Sequence, residues 1–350
     1  LNSAQNVILK RRLDFKTPTK ISLTTRVFSA CVGIVLAYMG YGLWALVISG
    51  VLSSLLTVIL NWFAVRWVPH TGWSTTSFNY LWGYGNKIML SWGLSALYDN
   101  ITPIFVAKFY SPADLGVYNR AQGYAAMPSQ QVNGVIQGVT FPVLSKMQND
   151  NEALARNYRR MLRTTAFIVF PLMMMLSALA RPLVLTLITA KWEACIILLQ
   201  IICFSMMWYP IHSINLNLLM VKGRSDLFLR LEIIKKVIGV CILAITLPQG
   251  LIIFCYGTIV SSMISLIINT YYTGKLIQVG YWRQMKDLIP TLILSFLLLG
   301  CIHFTNSLIS NLYLQIICGG IVGFIVYMSG AILFKFEELN DVKYMLKRKA

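Results

Sequence analysis

Charge is scarce in this sequence, and acidic charge most of all: Asp and Glu number twelve against thirty Lys and Arg, and charged residues make up only 12% of the 350. Soluble domains carry about 25% charged residues, so this shortage excludes an ordinary cytosolic protein. The three histidines, His70, His212 and His303, lie in separate segments, and no zinc site is expected of them. The seven cysteines sit almost entirely in apolar stretches and form no CxxC pair, so they read as small membrane-helix hydrophobes. A GxxxxGK loop for ATP is missing, because Gly83-Tyr84-Gly85-Asn86-Lys87 lacks the spacing. Paired carboxylates and an acid/base set on a sizeable soluble loop are missing too, so an enzyme is not expected. The sequence opens on Leu1 with no signal peptide ahead of its first basic run, which predicts a fragment of a longer protein.

Apolar residues are what it has: 57% of the chain, with mean hydropathy +0.66. They recur in runs too long and too regular for buried core helices, which predicts an all-α polytopic membrane protein. About ten spans are expected, near 22–40, 43–65, 86–108, 122–144, 164–181, 195–220, 232–248, 251–274, 288–305 and 312–334. When the connections are assigned alternately to two sides, Lys108, Arg120, Arg181 and Lys191 fall on one and every other Lys and Arg on the other. That asymmetry predicts that both ends of the chain are cytoplasmic. The net charge of +18 therefore punctuates apolar segments, and nucleic acid is not an expected partner. The stretch from Lys146 to Arg163, with Arg156, Arg159, Arg160 and Arg163 at helical spacing, reads as an amphipathic surface segment against anionic lipid. Trp44, Trp67, Trp73, Trp82 and Trp282 near span ends read as interfacial belt residues.

The sequence also repeats itself. Gly42-Leu43, Ser53-Ser54 and Asn61 recur as Gly250-Leu251, Ser261-Ser262 and Asn269 at a constant offset of 208, and Lys10, Arg12 and Asp14 match Lys222, Arg224 and Asp226 at 212. Both copies face the same way, as in transporters with two parallel pseudo-symmetric halves. By that offset about 130 residues, with about four helices, are expected upstream of Leu1.

The segment Tyr110-Ser111-Pro112-Ala113-Asp114-Leu115-Gly116-Val117-Tyr118-Asn119-Arg120-Ala121 resembles the polysaccharide-exporting branch of the MOP exporter superfamily, the Wzx-type flippases of lipid-linked oligosaccharides. Gln5 to Phe15, Gly42 to Val47, Phe141 to Ser145 and Gly223 to Asp226 are similar to the same family. The resemblance implies about fourteen helices in two six-helix lobes plus a terminal pair, with alternating access around a central cavity. This chain would then supply helices five to fourteen. Residues 1–77 would end the first lobe, 78–280 form the second, and 281–350 supply the terminal pair and a basic cytoplasmic tail. The implied location is the cell inner membrane.

Ionisable and amide groups inside spans are candidate functional groups because membrane burial is costly. Asp99 is foremost. Pro103, four residues on, removes the helical donor of the Asp99 carbonyl, so Asp99 with Asn100 could bind Na+ or exchange H+, and Pro103 could act as a hinge, the alternative being a structural Asp paired with an Arg or Asn of a neighbouring helix. Gln122, Gln130, Asn133 and Gln137 fall within an arc of about 80° at helical periodicity. Such a stripe suits a wet cavity for sugar hydroxyls or interhelical hydrogen bonds, the cavity being the preferred reading. His212 and Asn215 near Pro210 form a weaker polar patch that extends the candidate cavity, the alternative being a His satisfied by a partner within the bundle. A diphosphate headgroup needs cations, and Arg26, Lys108 and Arg120 are the candidates, with snorkelling to headgroups the alternative for Arg26.

The function expected is flipping or export of polyprenyl-diphosphate oligosaccharides for surface polysaccharide or lipopolysaccharide synthesis. Its expected partners are the lipid-linked oligosaccharide, membrane lipids, and a polysaccharide polymerase with chain-length machinery. No cofactor or metal is expected beyond a coupling ion. A multidrug or cation antiporter, a lipid II flippase and, further off, a membrane polysaccharide polymerase or ligase are the alternatives.

Overall fold

The computed structural model describes residues 5, 7–9, 14, 16–65 and 74–339. Trp67, Trp73 and His70 lie outside the described residues, as do the basic residues Lys10, Arg11, Arg12, Arg66, Lys343, Lys347, Arg348 and Lys349. All regular structure among the described residues is helical. That is the expected outcome in lipid, where a helix satisfies its own backbone groups and an open strand does not. The chain divides into two compact units, residues 1–75 and 76–350.

The first unit is a helical hairpin, α1 (Lys16–Tyr38) and α2 (Leu43–Val65). Asp14 caps α1, its Oδ1 accepting from the amides of Lys16 and Thr17 at 3.1 Å each. The two helices meet through small residues: Thr57 Oγ1 donates to Thr25 Oγ1 at 3.2 Å, and Gly33 lies against Ser49. Small side chains let membrane helices approach closely, where no hydrophobic effect is available to drive them together.

The second unit comprises α3 (Thr75–Phe109), α4 (Pro112–Lys146), α5 (Asn151–Ala178), α6 (Ala180–Leu187), α7 (Cys195–Met206), α8 (Tyr209–Val221), α9 (Ser225–Thr246), α10 (Leu251–Ile277), α11 (Tyr281–Leu308) and α12 (Leu312–Leu333). Each expected span has a helix, with informative differences. The 195–220 segment breaks at Met207 and Trp208, just before Pro210, into α7 and α8. Proline lacks the amide donor and tolerates only the first turn, so a new helix starts there.

The stretch from Lys146 to Arg163 forms the end of α4, a turn and the first half of α5, with Arg156 and Arg160 exposed. Arg159 makes a bidentate pair with Asp287 of α11, at 2.7 and 2.6 Å, and Arg163 pairs with Glu337 and Glu338 just beyond α12. Those guanidiniums bind the protein itself. Helix α5 packs along α11, and α11 along α12, around a core that includes Tyr158, Leu162, Phe170 and Met173.

Among the described residues, seven spans are long and apolar enough to cross a membrane: α1, α2, α5, the α7–α8 pair, α10, α11 and α12. Helices α3, α4 and α9 fall outside that set because they carry internal charges and amides. These three hold most of the candidate residues.

The internal repeat has a structural counterpart. Helix α2 starts at Leu43 and α10 at Leu251, each preceded by a glycine of positive φ, Gly42 at +53° and Gly250 at +122°. Only glycine adopts such backbone freely, so a Gly-Leu pair opens both helices. Asn61 and Asn269, related by the same offset, are both buried. At the start of α9, Arg224 donates to both carboxylate oxygens of Asp226 at 2.9 and 2.8 Å.

Candidate functional site

Helix α4 starts with a capping box. Ser111 Oγ accepts from the Asp114 amide at 3.1 Å while the Asp114 carboxylate accepts from the Ser111 amide at 3.2 Å, and Pro112 occupies the first turn. Tyr110 donates its hydroxyl to the Leu247 carbonyl, and Tyr118 packs on Phe254 with ring centroids 5.5 Å apart. Ala121 is fully buried. The segment that carries the family resemblance is therefore a joint: it docks the start of α4 against the turn between α9 and α10. Arg120 leaves the joint to stack its guanidinium over the Trp192 ring at 5.1 Å, and Lys108 is exposed at the end of α3. Both are at the same end of the unit's helices as the α9–α10 turn. Arg26 is exposed on α1, in the other unit.

The amide stripe of α4 divides by depth. Gln137 donates to Ser213 Oγ and accepts from Asn217 Nδ2, both on α8. Asn133 is half-buried, and its Oδ1 has no hydrogen-bond partner. Gln122 is half-buried and Gln130 exposed. One end of the stripe is thus hydrogen-bonded into the helix bundle while Gln130 faces outward.

Helix α8 is the hub of a polar network. Beyond Gln137 it reaches α10 through His212, whose Nε2 lies 3.0 Å from Ser262 Oγ and whose Nδ1 lies 3.3 Å from Asn269 Nδ2. Asn215 and Gln284 exchange amide hydrogen bonds at 3.2 Å in each direction, and Gln284 Nε2 also donates to Thr273 Oγ1 at 3.0 Å. Asn215 is only 1% exposed and Gln284 fully buried, so this pair is sealed within the protein. The paired groups rigidify the bundle, while Asn217 Oδ1 and Asn269 Oδ1 in the same network are buried with no hydrogen-bond partner, an arrangement that costs free energy in an apolar medium.

Asp99 and Asn100 lie on α3. The Asn100 side chain donates back to the Ala96 carbonyl at 2.7 Å, and Pro103 is contained in the continuous helix. Asp99 Oδ1 is 4.0 Å from Lys236 Nζ on α9. Nearby, Glu232 accepts from Lys235 Nζ at 2.5 Å and from Ser95 Oγ at 3.0 Å. The structure therefore unites Asp99 with three charged residues that the sequence reading placed only in a basic count or left out. Glu232 was the available signal, an acid three residues before Lys235 inside an apolar run. Ser213, Thr273 and Gln284 carried no such signal, because polar singletons in apolar helices look alike until their partners are known.

A groove of about 570 Å3 opens elsewhere, between α5, α11 and the residues after α12, lined by Arg163, Lys286, Asp287 and Phe334 among others. None of the candidate residues lines it. Among the described residues, no cluster of three or more His, Cys, Asp or Glu could hold a metal ion.

Helices of this length and apolarity, joined by short turns and crossed by a buried polar network, define a polytopic all-α membrane protein. The profile of the polysaccharide biosynthesis protein family matches residues 1–197, and the chain belongs to that family. It is 26% identical over 222 residues to the teichuronic acid biosynthesis protein TuaB of Bacillus subtilis (strain 168), covering 63% of this chain and 46% of that one. It is 21% identical over 336 residues to the succinoglycan biosynthesis transport protein ExoT of Rhizobium meliloti (strain 1021), covering 91% and 66%. With the lipopolysaccharide biosynthesis protein WzxC of Escherichia coli (strain K12) it shares 26% identity over 216 residues, covering 59% and 44%. The chain thus spans between about half and two thirds of the length of these relatives. Its fold matches that of the lipid II flippase MurJ in an inward closed conformation, with a TM-score of 0.65 at 18% identity, over 91% of this chain and 66% of that one.

Proposed function

We propose that this chain belongs to a transporter that flips or exports polyprenyl-diphosphate oligosaccharides for surface polysaccharide or lipopolysaccharide synthesis. Transport occurs across the cell inner membrane, with both ends of the chain in the cytoplasm. The observation that carries this reading is the family match over residues 1–197, joined to relatives named for polysaccharide transport and to a flippase fold. The protein moves its cargo and does no covalent chemistry on it. Gln122, Gln130, Asn133, Gln137 and His212 supply a polar wall for sugar hydroxyls, with Asn215 behind them. Lys108 and Arg120 attract the diphosphate near the outer ends of α3 and α4, and Arg26 is the candidate for the same role on α1. Asp99, with Asn100, couples transport to Na+ or H+, and Pro103 lets α3 bend between states. The outer four cations and the large basic excess opposite them support the stated orientation. A polymerase and chain-length machinery receive the product.

The fold likeness to MurJ favours a second reading, transport of lipid II. Deleting the full-length gene separates the two: the lipid-linked repeat unit of a surface polysaccharide accumulates on the first reading, and lipid II on the second. Accumulation of neither, with surface polysaccharide at its normal level, would sink both.

A further inference from the structure

Two adjacent lysines at the middle of α9 have different fates. Lys235 is committed: its side chain is 11% exposed, its ammonium lies 2.5 Å from Glu232, and the other oxygen of that carboxylate is taken by Ser95. Lys236 is not. Its side chain is 24% exposed, its ion pair is with Asp99 Oδ1 at 4.0 Å, beyond hydrogen-bond length, and its ammonium lies 4.5 Å over the Tyr98 ring. Gly239 makes this approach feasible, since a Cβ there would stand 2.6 Å from the Tyr98 hydroxyl. Asp99 for its part has a side chain 72% exposed.

An ammonium has three donors, and here none is used in a short bond to a carboxylate. A long pair to a solvated carboxylate is weak, whereas a short charge-assisted bond to phosphate is about twice as strong as a neutral hydrogen bond. Helix α3 also meets α9 mainly through these side chains, with no extended backbone packing against it, so the pair can open without unpacking a core. The charges around it, Glu232, Lys235, Lys236 and Asp99, sum to zero while Asp99 faces Lys236.

We infer that Lys236 is an exchangeable cation: Asp99 holds it when no cargo is bound, and a phosphate oxygen of the anionic cargo takes it over, releasing Asp99. This rests on the transport reading and deepens it. Released, Asp99 is an unbalanced carboxylate, ready to take the coupling cation or proton, so cargo loading and ion loading become linked through one ammonium.

The test is equilibrium binding of a polyprenyl diphosphate, the corresponding neutral polyprenol, and inorganic diphosphate to the full chain in detergent. The wild type should bind the lipid diphosphate more tightly than the polyprenol. Lys236→Gln should weaken the diphosphate lipid about tenfold or more and leave the polyprenol unchanged, while Lys236→Arg retains binding. Asp99→Asn removes the competitor and should tighten the diphosphate lipid about threefold or more, an effect that vanishes in the Lys236→Gln background. Because Asp99 is largely exposed, the tightening in Asp99→Asn alone is readable even if the lysine variant fails to fold. An Asp99→Asn change that leaves affinity unaltered or weakens it would overturn the exchange while leaving the transport reading intact. A wild type that fails to distinguish the diphosphate lipid from the polyprenol would overturn both. Inorganic diphosphate bound as tightly as the lipid would retain the exchange and move its source from the bilayer to solution.

Discussion

Asp99 carries different meanings in sequence and in space. In sequence it is a lone carboxylate beside a proline; in space it faces an ammonium at 4.0 Å and is mostly exposed. Replacing it with Asn leaves no buried cation stranded, since Lys236 is itself partly exposed, so the fold should persist. Export per folded molecule, measured across external pH and sodium, should fall strongly and lose its ion dependence in Asp99→Asn. A normal rate with unchanged ion dependence would end the coupling role. Arg159 and Asp287 form the opposite kind of pair. Their bidentate bond joins α5 to α11 with Asp287 only 8% exposed, and Asp287→Asn should lower stability by about 1.5–3 kcal/mol, seen as a reduced melting temperature in detergent. A melting temperature within error of the wild type would show that the partly exposed guanidinium finds equivalent partners. Ser111→Ala should cost about 1 kcal/mol through loss of the α4 cap, with export per folded molecule retained, because Ser111 serves the joint and the change leaves Arg120 in place.

Helix α4 shows how one face can serve two purposes along its length. Gln137 is tied to α8, Asn215 of that helix is sealed against Gln284, and Gln130 is exposed. Cysteines introduced singly at Gln130 and at Asn215, with the native cysteines replaced, should therefore differ: the first should react with a polar thiol reagent and the second should not. Equal rates would mean that the α8–α10–α11 network opens to water, and would restore Asn215 to the cavity lining. The helical period of four amides was legible without any coordinates. Their division was not, because a 100° repeat locates a face but says nothing of which neighbour covers each part of it. The same limit explains the arginines of α5. Their spacing predicted an amphipathic helix, and only the approach of Asp287, Glu337 and Glu338 from distant sequence showed that Arg159 and Arg163 bind the protein while Arg156 and Arg160 stay exposed.

At the scale of the molecule, the alternation of basic and nearly uncharged connections predicts sidedness turn by turn. The turns on either side of α9 should lie on opposite faces of the membrane, so a cysteine at Gln249 should be labelled by an impermeant reagent in intact cells and one at Gly223 only after permeabilisation. Labelling of both from outside would contradict a membrane-crossing α9. The all-α class and the positions of the ten helical segments were written locally, because apolar length, proline and glycine act on the residues beside them. The 208-residue repeat was written there too, down to the positive-φ glycines before α2 and α10. Three features came from tertiary structure alone: the reciprocal amides of Asn215 and Gln284, the clasp of α5 on α11, and the meeting of Asp99 with Lys236. Each joins residues from 69 to 137 positions apart, and in a membrane such pairings depend on which polar groups find one another as helices pack, a choice that hydropathy does not encode.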